Sequence, residues 1–508
     1  MFSKVLSGSL FGLESEVITV EVDVTHGLPC FQVVGLPDAS VRESKERIRS
    51  AIINSELKFP PKRITVNLSP ANTKKEGTHF DLPIAIGILV SLNVLTAKSI
   101  DKYAFLGELS LDGKINKIKG ALPIVIGLRA NGVKNIILPI ENLEEAEIVQ
   151  DLCLIPIGNL KEVIAFLKGE VEIKRPTIVK SKILFRKHEE DFSEVNGQEA
   201  VKRAIQIAAS ASHNIMMIGP PGSGKSMIAK RIPSILPSLS FEEILEVTKI
   251  YSIAGELSKE MPIVEHRQFR APHHTITPVG LFGGGANPKP GEITLAHNGV
   301  LYFDEMPEFS RSILELLRQP MEDEKISIAR SNATITFPSK FMFVASMNPC
   351  PCGYNGDVTK KCTCKEGDIR RYLSKCSGPL LDRIDIHIEV FPIKYSEMTY
   401  SGENKTSSEM RMEVEQVRQI QIDRYKDESI SYNSQLTQRL MKKYCKLDKE
   451  TEELLEKAFN KLSLSARAYN KIIKISRTIA DLDNKKNIEL VHVAEALSYR
   501  SLDKKYFS

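Results

Sequence analysis

One eight-residue segment constrains this chain more than any other. Gly219-Pro220-Pro221-Gly222-Ser223-Gly224-Lys225-Ser226 matches G-x-x-x-x-G-K-[ST] and stands between the apolar run Asn214–Ile218 and a helix-like stretch. Strand, glycine-rich turn and helix in that order fold backbone N–H groups inward around a phosphate, at the positive end of the helix. Lys225 would reach the β- and γ-phosphates, and the Ser226 hydroxyl would ligate Mg2+. A glycine-rich turn with a chance lysine is the plainer reading, and the flanking strand and helix argue against it. Further on, Val300-Leu301-Tyr302-Phe303-Asp304-Glu305 is an apolar strand ending in two acids. Asp304 would hold the magnesium, directly or through water, and Glu305 would polarise an attacking water as general base. Paired with the upstream loop, these acids imply nucleotide hydrolysis as well as binding.

A chain of 508 residues has room for three or four domains at about 150 residues each. Lys+Arg 69 against Asp+Glu 64 leaves a net charge of +5, too mild to mark a nucleic-acid binder, so any basic surface must be local. No stretch reaches the roughly 18 uninterrupted apolar residues of a membrane span. The nearest, Leu82 to Leu95, is broken by Ser91 and Asn93. The N-terminus lacks an apolar core of signal-peptide length and turns acidic at Glu14 and Glu16. A cytoplasmic protein with no membrane partner is therefore expected. The eight cysteines agree, because five of them crowd between Cys350 and Cys376 rather than spreading as a disulfide framework.

Along the chain, residues 1–170 predict an α/β domain. Ile18–Val24 and Ile64–Leu68 alternate as half-buried strands, and Val41, Ile48, Ile52 and Ile53 recur at helical spacing behind an N-cap at Ser40. Leu82–Leu92 is so apolar that helix and strand both remain open. Tyr103–Gly107 and Lys114–Ile118 flank Asp112-Gly113 as a hairpin, Ala121–Leu128 predicts a helix and Ile136–Ile140 a strand. A Lys/Arg-rich stretch with Pro176 makes 171–190 a linker. Residues 191–395 form a second α/β unit, with strands at Asn214–Ile218, Val300–Phe303, Phe341–Ser346 and Ile384–Val390 that alternation with helices makes parallel. Residues 396–508 are helical, with helices over Met410–Tyr425, Gln435–Tyr444, Glu450–Leu462, Ala466–Asp481 and Ile488–Tyr499.

Three more residues suit a hydrolysis site. Asn348 comes after the strand Phe341–Ser346, where a polar side chain would orient water; Arg383 precedes Ile384–Val390; Arg467 opens a helix. Arginine's rigid fork of donors suits the charge that phosphoryl transfer develops. From spacing alone, a surface role is as good a reading for each.

Longer motifs carry a resemblance. Phe269-Arg270-Ala271-Pro272-His273-His274-Thr275, the run from Gly291-Glu292-Ile293-Thr294 to Asp304-Glu305, and Ser377-Gly378-Pro379-Leu380-Leu381-Asp382-Arg383-Ile384-Asp385 resemble the YifB/ComM family of magnesium-chelatase-like AAA+ ATPases, over essentially the whole chain. The resemblance implies a central AAA+ P-loop NTPase domain and a C-terminal helical lid, assembled as a homo-hexameric ring with ATP between subunits. Asn348 would be the sensor-1 residue, Arg383 the arginine finger reaching the neighbour's nucleotide, and Arg467 the sensor-2 arginine. The family's activity implies ATP-driven DNA unwinding and branch migration, with single-stranded or branched DNA as partner, serving homologous recombination during natural transformation. Ile326–Arg330 and Thr334–Phe337 flank Ser331-Asn332-Ala333 and are similar to the hairpin of related helicases. Arg330, and after it Lys325, would point into the channel to track phosphates; an exposed turn charge is the bland alternative. Gly280–Gly285 serves equally as a second channel loop or a plain flexible one. The rival function is a chelatase-like or chaperone-like ATPase that remodels a protein partner.

Residues 1–170 look like the Lon protease domain, in the ribosomal-S5-like fold, through Gly107–Lys114 and Lys75-Glu76-Gly77. Lon peptidases place a nucleophilic serine after that glycine, where this chain has Thr78-His79-Phe80-Asp81. Their catalytic lysine matches Leu122 in Lys119-Gly120-Ala121-Leu122, so the resemblance implies an inactive domain. Cys350-Pro351-Cys352 and Cys362-Thr363-Cys364 make two C-x-C pairs that would close a structural Zn2+ site, with Cys376 as a spare ligand; free thiols in a loop are the alternative. Cys30, Cys153 and Cys445 suit isolated buried thiols. His273 and His274, adjacent on an extended segment, are expected to point opposite ways.

Overall fold

The computed structural model describes every residue except 72, 174–189, 286–287, 330–333, 358–359, 393–403, 463 and 507–508. Most of the linker expected at 171–190, and Arg330, lie outside the described residues. The chain divides into two compact units. One comprises 1–184, 241–265 and 329–335; the other comprises 185–240, 266–328 and 336–508.

The first unit is built on a mixed sheet. Its strands are β1 (Phe2–Phe11), β2 (Glu14–Thr25), β3 (Cys30–Val34), β4 (Arg63–Ser69), β5 (Tyr103–Phe105), β8 (Asn135–Pro139) and β9 (Cys153–Ile157) in the order β3-β4-β2-β1-β5-β8-β9, with the small β6 (Glu108–Leu109) and β7 (Ile115–Asn116) paired separately. Alternation drives it: Ile18, Val20, Val22 and Val24 all face the core from one side of β2. Asp81–Ser91 is a helix whose every residue is buried, and it packs on β1, β2 and the helix Ala39–Asn54. Burial on all sides removes the polar stripe, which is why periodicity left its type open. Gly87 permits the close approach, since a Cβ there would stand 2.6 Å from a Val22 methyl.

Two local expectations change. Asp38, not Ser40, caps the helix Ala39–Asn54: its carboxylate accepts the Val41 N–H at 2.8 Å, and Ser40 donates to the same oxygen. The hairpin around Asp112-Gly113 is only β6 with β7, while β5 joins the main sheet between β1 and β8, where Ala104 and Phe105 are fully buried. The helix Phe241–Ala254, expected within the 191–395 unit, belongs to the first. It packs on the helix Ala121–Ala130, Ser252 donates to Glu145 at 2.6 Å, and Lys117 donates to the Leu257 carbonyl at 2.9 Å.

The second unit carries a five-stranded parallel sheet, β10 (Ile215–Ile218), β11 (Phe269–Arg270), β12 (Val300–Phe303), β15 (Met342–Met347) and β16 (Ile386–Glu389), in the order β11-β12-β15-β10-β16. A two-stranded hairpin, β13 (Lys325–Ala329) and β14 (Thr334–Pro338), is separate from it. The helices Ser407–Tyr425, Gln438–Tyr444 and Ala466–Leu482 bury Val414, Leu440, Ile472 and Ile479 in one core with Ile205, Ile215 and Val344. At the end of the helix Ala466–Leu482, buried Asp481 accepts from Arg424 and Arg477, which pins these helices together. No helix among the described residues is long and apolar enough to cross a membrane.

Candidate functional site

Strand ends and helix starts meet at one edge of the parallel sheet, the place where open α/β sheets bind ligands. After β10 the chain enters Gly219–Ser226, with Gly222 and Gly224 at φ 77° and 90°, the left-handed region that glycine adopts without strain. Gly219 is required for a different reason: a Cβ there would lie 2.1 Å from the Val390 carbonyl oxygen. Lys225 begins the helix Lys225–Arg231 and is nearly buried. Its Nζ donates to the carbonyls of Gly219 at 2.7 Å and Pro220 at 2.8 Å, and reaches Asn348 Oδ1 at 3.3 Å. Burial lowers its pKa, and the neighbouring Asp304 and Glu305 oppose that shift.

Asp304 comes directly after β12 and faces the loop. Ser226 Oγ donates to its Oδ2 at 3.0 Å, Tyr302 OH to its Oδ1 at 2.8 Å, and Ser346 Oγ to the same Oδ1. Burial would raise its pKa, yet these three hydroxyls together hold it below the ordinary carboxylate value. A hydroxyl and an ionised carboxylate in contact are the oxygen donors Mg2+ takes, so Ser226 and Asp304 would hold the cation that neutralises nucleotide phosphates. Glu305 sits at φ 50° with its N–H on Ser346 Oγ at 3.2 Å, a turn that exposes its carboxylate beside Asp304. Sequence reasoning missed Tyr302 and Ser346. A hydroxyl two residues before Asp304 and another two before Asn348 were the available signals.

Arg383 and Arg467 come together elsewhere. Both line a cavity of about 560 Å³ that contains none of the residues Gly219–Ser226, Asp304, Glu305 or Asn348. Lys340, Lys471 and Lys474 join them. Arg383 pairs with Glu322 and donates to the Pro379 carbonyl at 2.7 Å. In the cavity wall, Asp385 pairs with Lys471 at 2.8 Å and accepts the Asn214 N–H at 2.9 Å. Burial would raise the Asp385 pKa, but Lys471 and His213 drive it far below normal; burial lowers Lys471 to about 8. One surface therefore gathers five cations among the carboxylates of Glu322, Glu324, Asp382 and Asp385, without a phosphate loop of its own.

The sulfurs of Cys350, Cys352, Cys362 and Cys364 all lie within 4.8 Å of one another. Cys350 Sγ is 3.3 Å from Cys352 and 3.8 Å from Cys362, and Cys352 is 3.6 Å from Cys362. Zinc–sulfur bonds of about 2.3 Å set tetrahedral sulfurs about 3.8 Å apart, so the four fit zinc. Cys376 stands outside this group, buried, with its thiol pushed up to about 12 by burial. Cys445 is buried as expected, but Cys30 and Cys153 are exposed. His273 and His274 do not diverge: their rings pack 4.1 Å apart, because the chain turns there instead of running extended. Lys325 is exposed at the start of β13. Gly280 lies in the short helix Pro278–Phe282, and Gly283, Gly284 and Gly285 come after it with positive φ.

In the first unit, the segment compared with the Lon nucleophile holds no serine. The Thr78 hydroxyl donates to Glu108, and His79 is buried with Nε2 2.9 Å from the Gly8 carbonyl. Leu122 is fully buried, and Lys119 runs past Gly255.

Comparison with known proteins finds three family models along the chain. The model of the magnesium chelatase subunit ChlI matches residues 191–398, a second ChlI model matches 20–142, and the ChlI C-terminal model matches 404–500. The competence protein ComM of Haemophilus influenzae is 41% identical over 98% of this chain and 97% of its own. The uncharacterized protein YifB of Escherichia coli K12 is 40% identical over 97% of this chain and 96% of its own. A stretch of 52 residues, 10% of this chain, is 42% identical to 7% of the archaeal Lon protease of Halobacterium salinarum. Full-length similarity to both ComM and YifB, over a parallel sheet bearing the phosphate loop and the paired acids, identifies the chain as a member of the YifB/ComM family of magnesium-chelatase-like AAA+ ATPases.

Proposed function

We propose that this protein is an ATP-hydrolysing ring motor that moves DNA, a helicase that drives branch migration during recombination of incoming DNA in natural transformation. The observation that carries it is the separation of Arg383 and Arg467 from the phosphate loop of their own chain. Arginines gathered on a surface without a cradle suit the γ-phosphate of a neighbouring copy, and a closed ring, with six subunits as our reading, gives every cradle such a neighbour. Within one cradle, Lys225 and the loop N–H groups would hold the β- and γ-phosphates. Glu305 would take the proton of the attacking water, and Asn348 would orient it. Arg383 and Arg467 of the next copy would meet the charge that develops on the γ-phosphate oxygens. ATP supplies the phosphoryl group, and Ser226 with Asp304 would hold its Mg2+.

The hairpin β13–β14, with exposed Lys325 near its base, supports a contact with the DNA backbone. Arg330, the stronger sequence candidate, lies outside the described residues. In our reading residues 1–170 are an inactive Lon-like domain, 191–395 the AAA+ core with a Cys-rich insertion at 350–376, and 396–508 the lid. The four thiolates of the insertion would hold a structural zinc. Cysteines that form no disulfide among the described residues suit the cytoplasm. The test is ATPase rate with and without single-stranded or forked DNA, together with migration of a synthetic four-way junction. Stimulation of severalfold and ATP-dependent migration are expected. An ATPase indifferent to DNA would instead favour a protein client.

A further inference from the structure

The thiol cluster and the nucleotide cradle are built from the same stretch of chain. Cys350 stands two residues after Asn348, whose amide oxygen meets Lys225 Nζ at 3.3 Å. Gly353 closes a turn by donating its N–H to the Cys350 carbonyl at 3.0 Å, with φ 87°. It then lies directly on the phosphate loop: a Cβ built on Gly353 would be 2.4 Å from Pro221 Cδ and 2.7 Å from Pro221 Cγ. A narrow cleft runs between the two loops, walled by Gly219 and Pro220 on one side and by Pro349, Asn355 and Asp357 on the other.

Apart from the thiols, the described residues of the loop are tied by local hydrogen bonds, Asp357 N–H to the Tyr354 carbonyl at 3.2 Å and Lys360 N–H to Asp357 Oδ1 at 3.0 Å, rather than by an apolar core. Between the two C-x-C pairs the described residues are Gly353, Tyr354, Asn355, Gly356, Asp357, Lys360 and Lys361, with Tyr354 as the one large apolar side chain. Its ring meets a lysine ammonium at 5.0 Å rather than a core. Two backbone N–H groups point at sulfur, Cys352 to Cys364 Sγ and Cys364 to Cys362 Sγ, both at 3.4 Å. N–H groups aimed at sulfur suit thiolates, and a segment too polar to bury its own core takes its rigidity from a bound metal.

We propose that the metal-bound loop is a brace for the nucleotide site. With zinc on Cys350, Cys352, Cys362 and Cys364, Gly353 presses against Pro221 and Asn348 is held at its distance from Lys225. Without zinc both supports are released, so ATP affinity and turnover depend on metal occupancy. The inference rests on the zinc reading of the four thiolates. Gly353 and Pro221 act here as positioning residues, not catalytic ones.

The experiment uses the full chain. Zinc content is measured by elemental analysis, and ATP binding by titration with a fluorescent ATP analogue. Wild-type protein, a zinc-chelated sample, Cys352→Ser and Gly353→Ala are compared. Wild type is expected to carry one zinc. Chelation and Cys352→Ser should remove it and weaken ATP binding about tenfold or more, equivalent to about 1.4 kcal/mol, with the chelated sample recovering when zinc is returned. Gly353→Ala keeps all four thiolates, so it should retain zinc and still bind ATP more weakly. Metal-free wild type as purified from zinc-replete cells would overturn the zinc reading. Zinc-free protein that binds ATP like the loaded form, or Gly353→Ala with unchanged ATP affinity, would overturn the brace and leave the zinc reading standing.

Discussion

Lys225 Nζ and Asn348 Oδ1 stand 3.3 Å apart although 123 residues separate them in the chain. β10 and β15 are parallel neighbours, in register from Ile215–Val344 to Ile218–Met347, so the loops leaving their C-terminal ends lie side by side. In the proposed hydrolysis Asn348 would orient the attacking water. Asn348→Ala is expected to lower kcat about a hundredfold, the scale of one lost orienting group, while ATP affinity by fluorescence titration changes far less.

Glu305 and Arg383 belong to different surfaces of one subunit, and a mixing experiment exploits this. Glu305→Gln should bind ATP and lose turnover by about a hundredfold or more. Arg383→Ala should lose about a thousandfold. Rings mixed from the two variants should regain ATPase activity, because a cradle with an intact Glu305 then meets an intact Arg383. Mixed rings no faster than either variant alone would show that Arg383 does not act across subunits.

Gly219 has no room for a methyl group beside the Val390 carbonyl, 2.1 Å from where the Cβ would stand. The backbone atoms on both sides cannot rotate away as a side chain end can. Gly219→Ala should shift the phosphate loop and abolish the thermal stabilisation that saturating ATP gives the wild type, measured by differential scanning fluorimetry.

His79 and Asp81 make opposite demands on pH in the first unit. Burial holds His79 down at about 4 from 6.5, so the unfolded chain takes up a proton that the folded one refuses, and stability falls as pH drops from 6.5 towards 4. Burial raises Asp81 from 3.8 to about 6 despite its Arg47 partner, so the folded chain binds its proton first. That contribution is fully present below pH 3.8 and is lost as pH rises through 6. Each amounts to about 3 kcal/mol at about 1.36 kcal/mol per pH unit, and they oppose between about pH 4 and 6. His79→Asn is expected to unmask the aspartate. Urea unfolding at pH 4 to 6 should show the variant gaining stability on acidification relative to the wild type.

Asp385 is the buried counter-charge of Lys471 and also holds the Asn214 N–H at the start of β10. Asp385→Asn leaves the lysine buried without its partner, a loss of about 3–5 kcal/mol for a broken buried pair. The melting temperature of the second unit should fall, and Lys471→Met combined with Asp385→Asn should recover part of the loss.

Much of the nucleotide site was legible in the residues themselves. Gly219–Ser226 and Asp304–Glu305 are local patterns whose chemistry comes from strand, turn and helix in sequence, and the C-x-C pairs announce their own cluster. The hydroxyls of Tyr302 and Ser346 were not legible, because their orientation towards Asp304 depends on which strands are neighbours. The pairing of His273 with His274, and the exposure of Cys30 and Cys153, depended likewise on local turns and burial that composition does not encode.

By itself the sequence determined the amphipathic strands and helices, since hydrophobic periodicity and glycine placement act over a few residues. It also determined where phosphate chemistry would be concentrated. Tertiary structure alone decided that the helix Phe241–Ala254 joins the first unit, that Asp81–Ser91 is a helix, and that Arg383 and Arg467 share a cavity apart from Lys225. Those outcomes depend on burial against partners distant in the chain. Contacts made across hundreds of residues leave no periodic trace in the sequence that makes them.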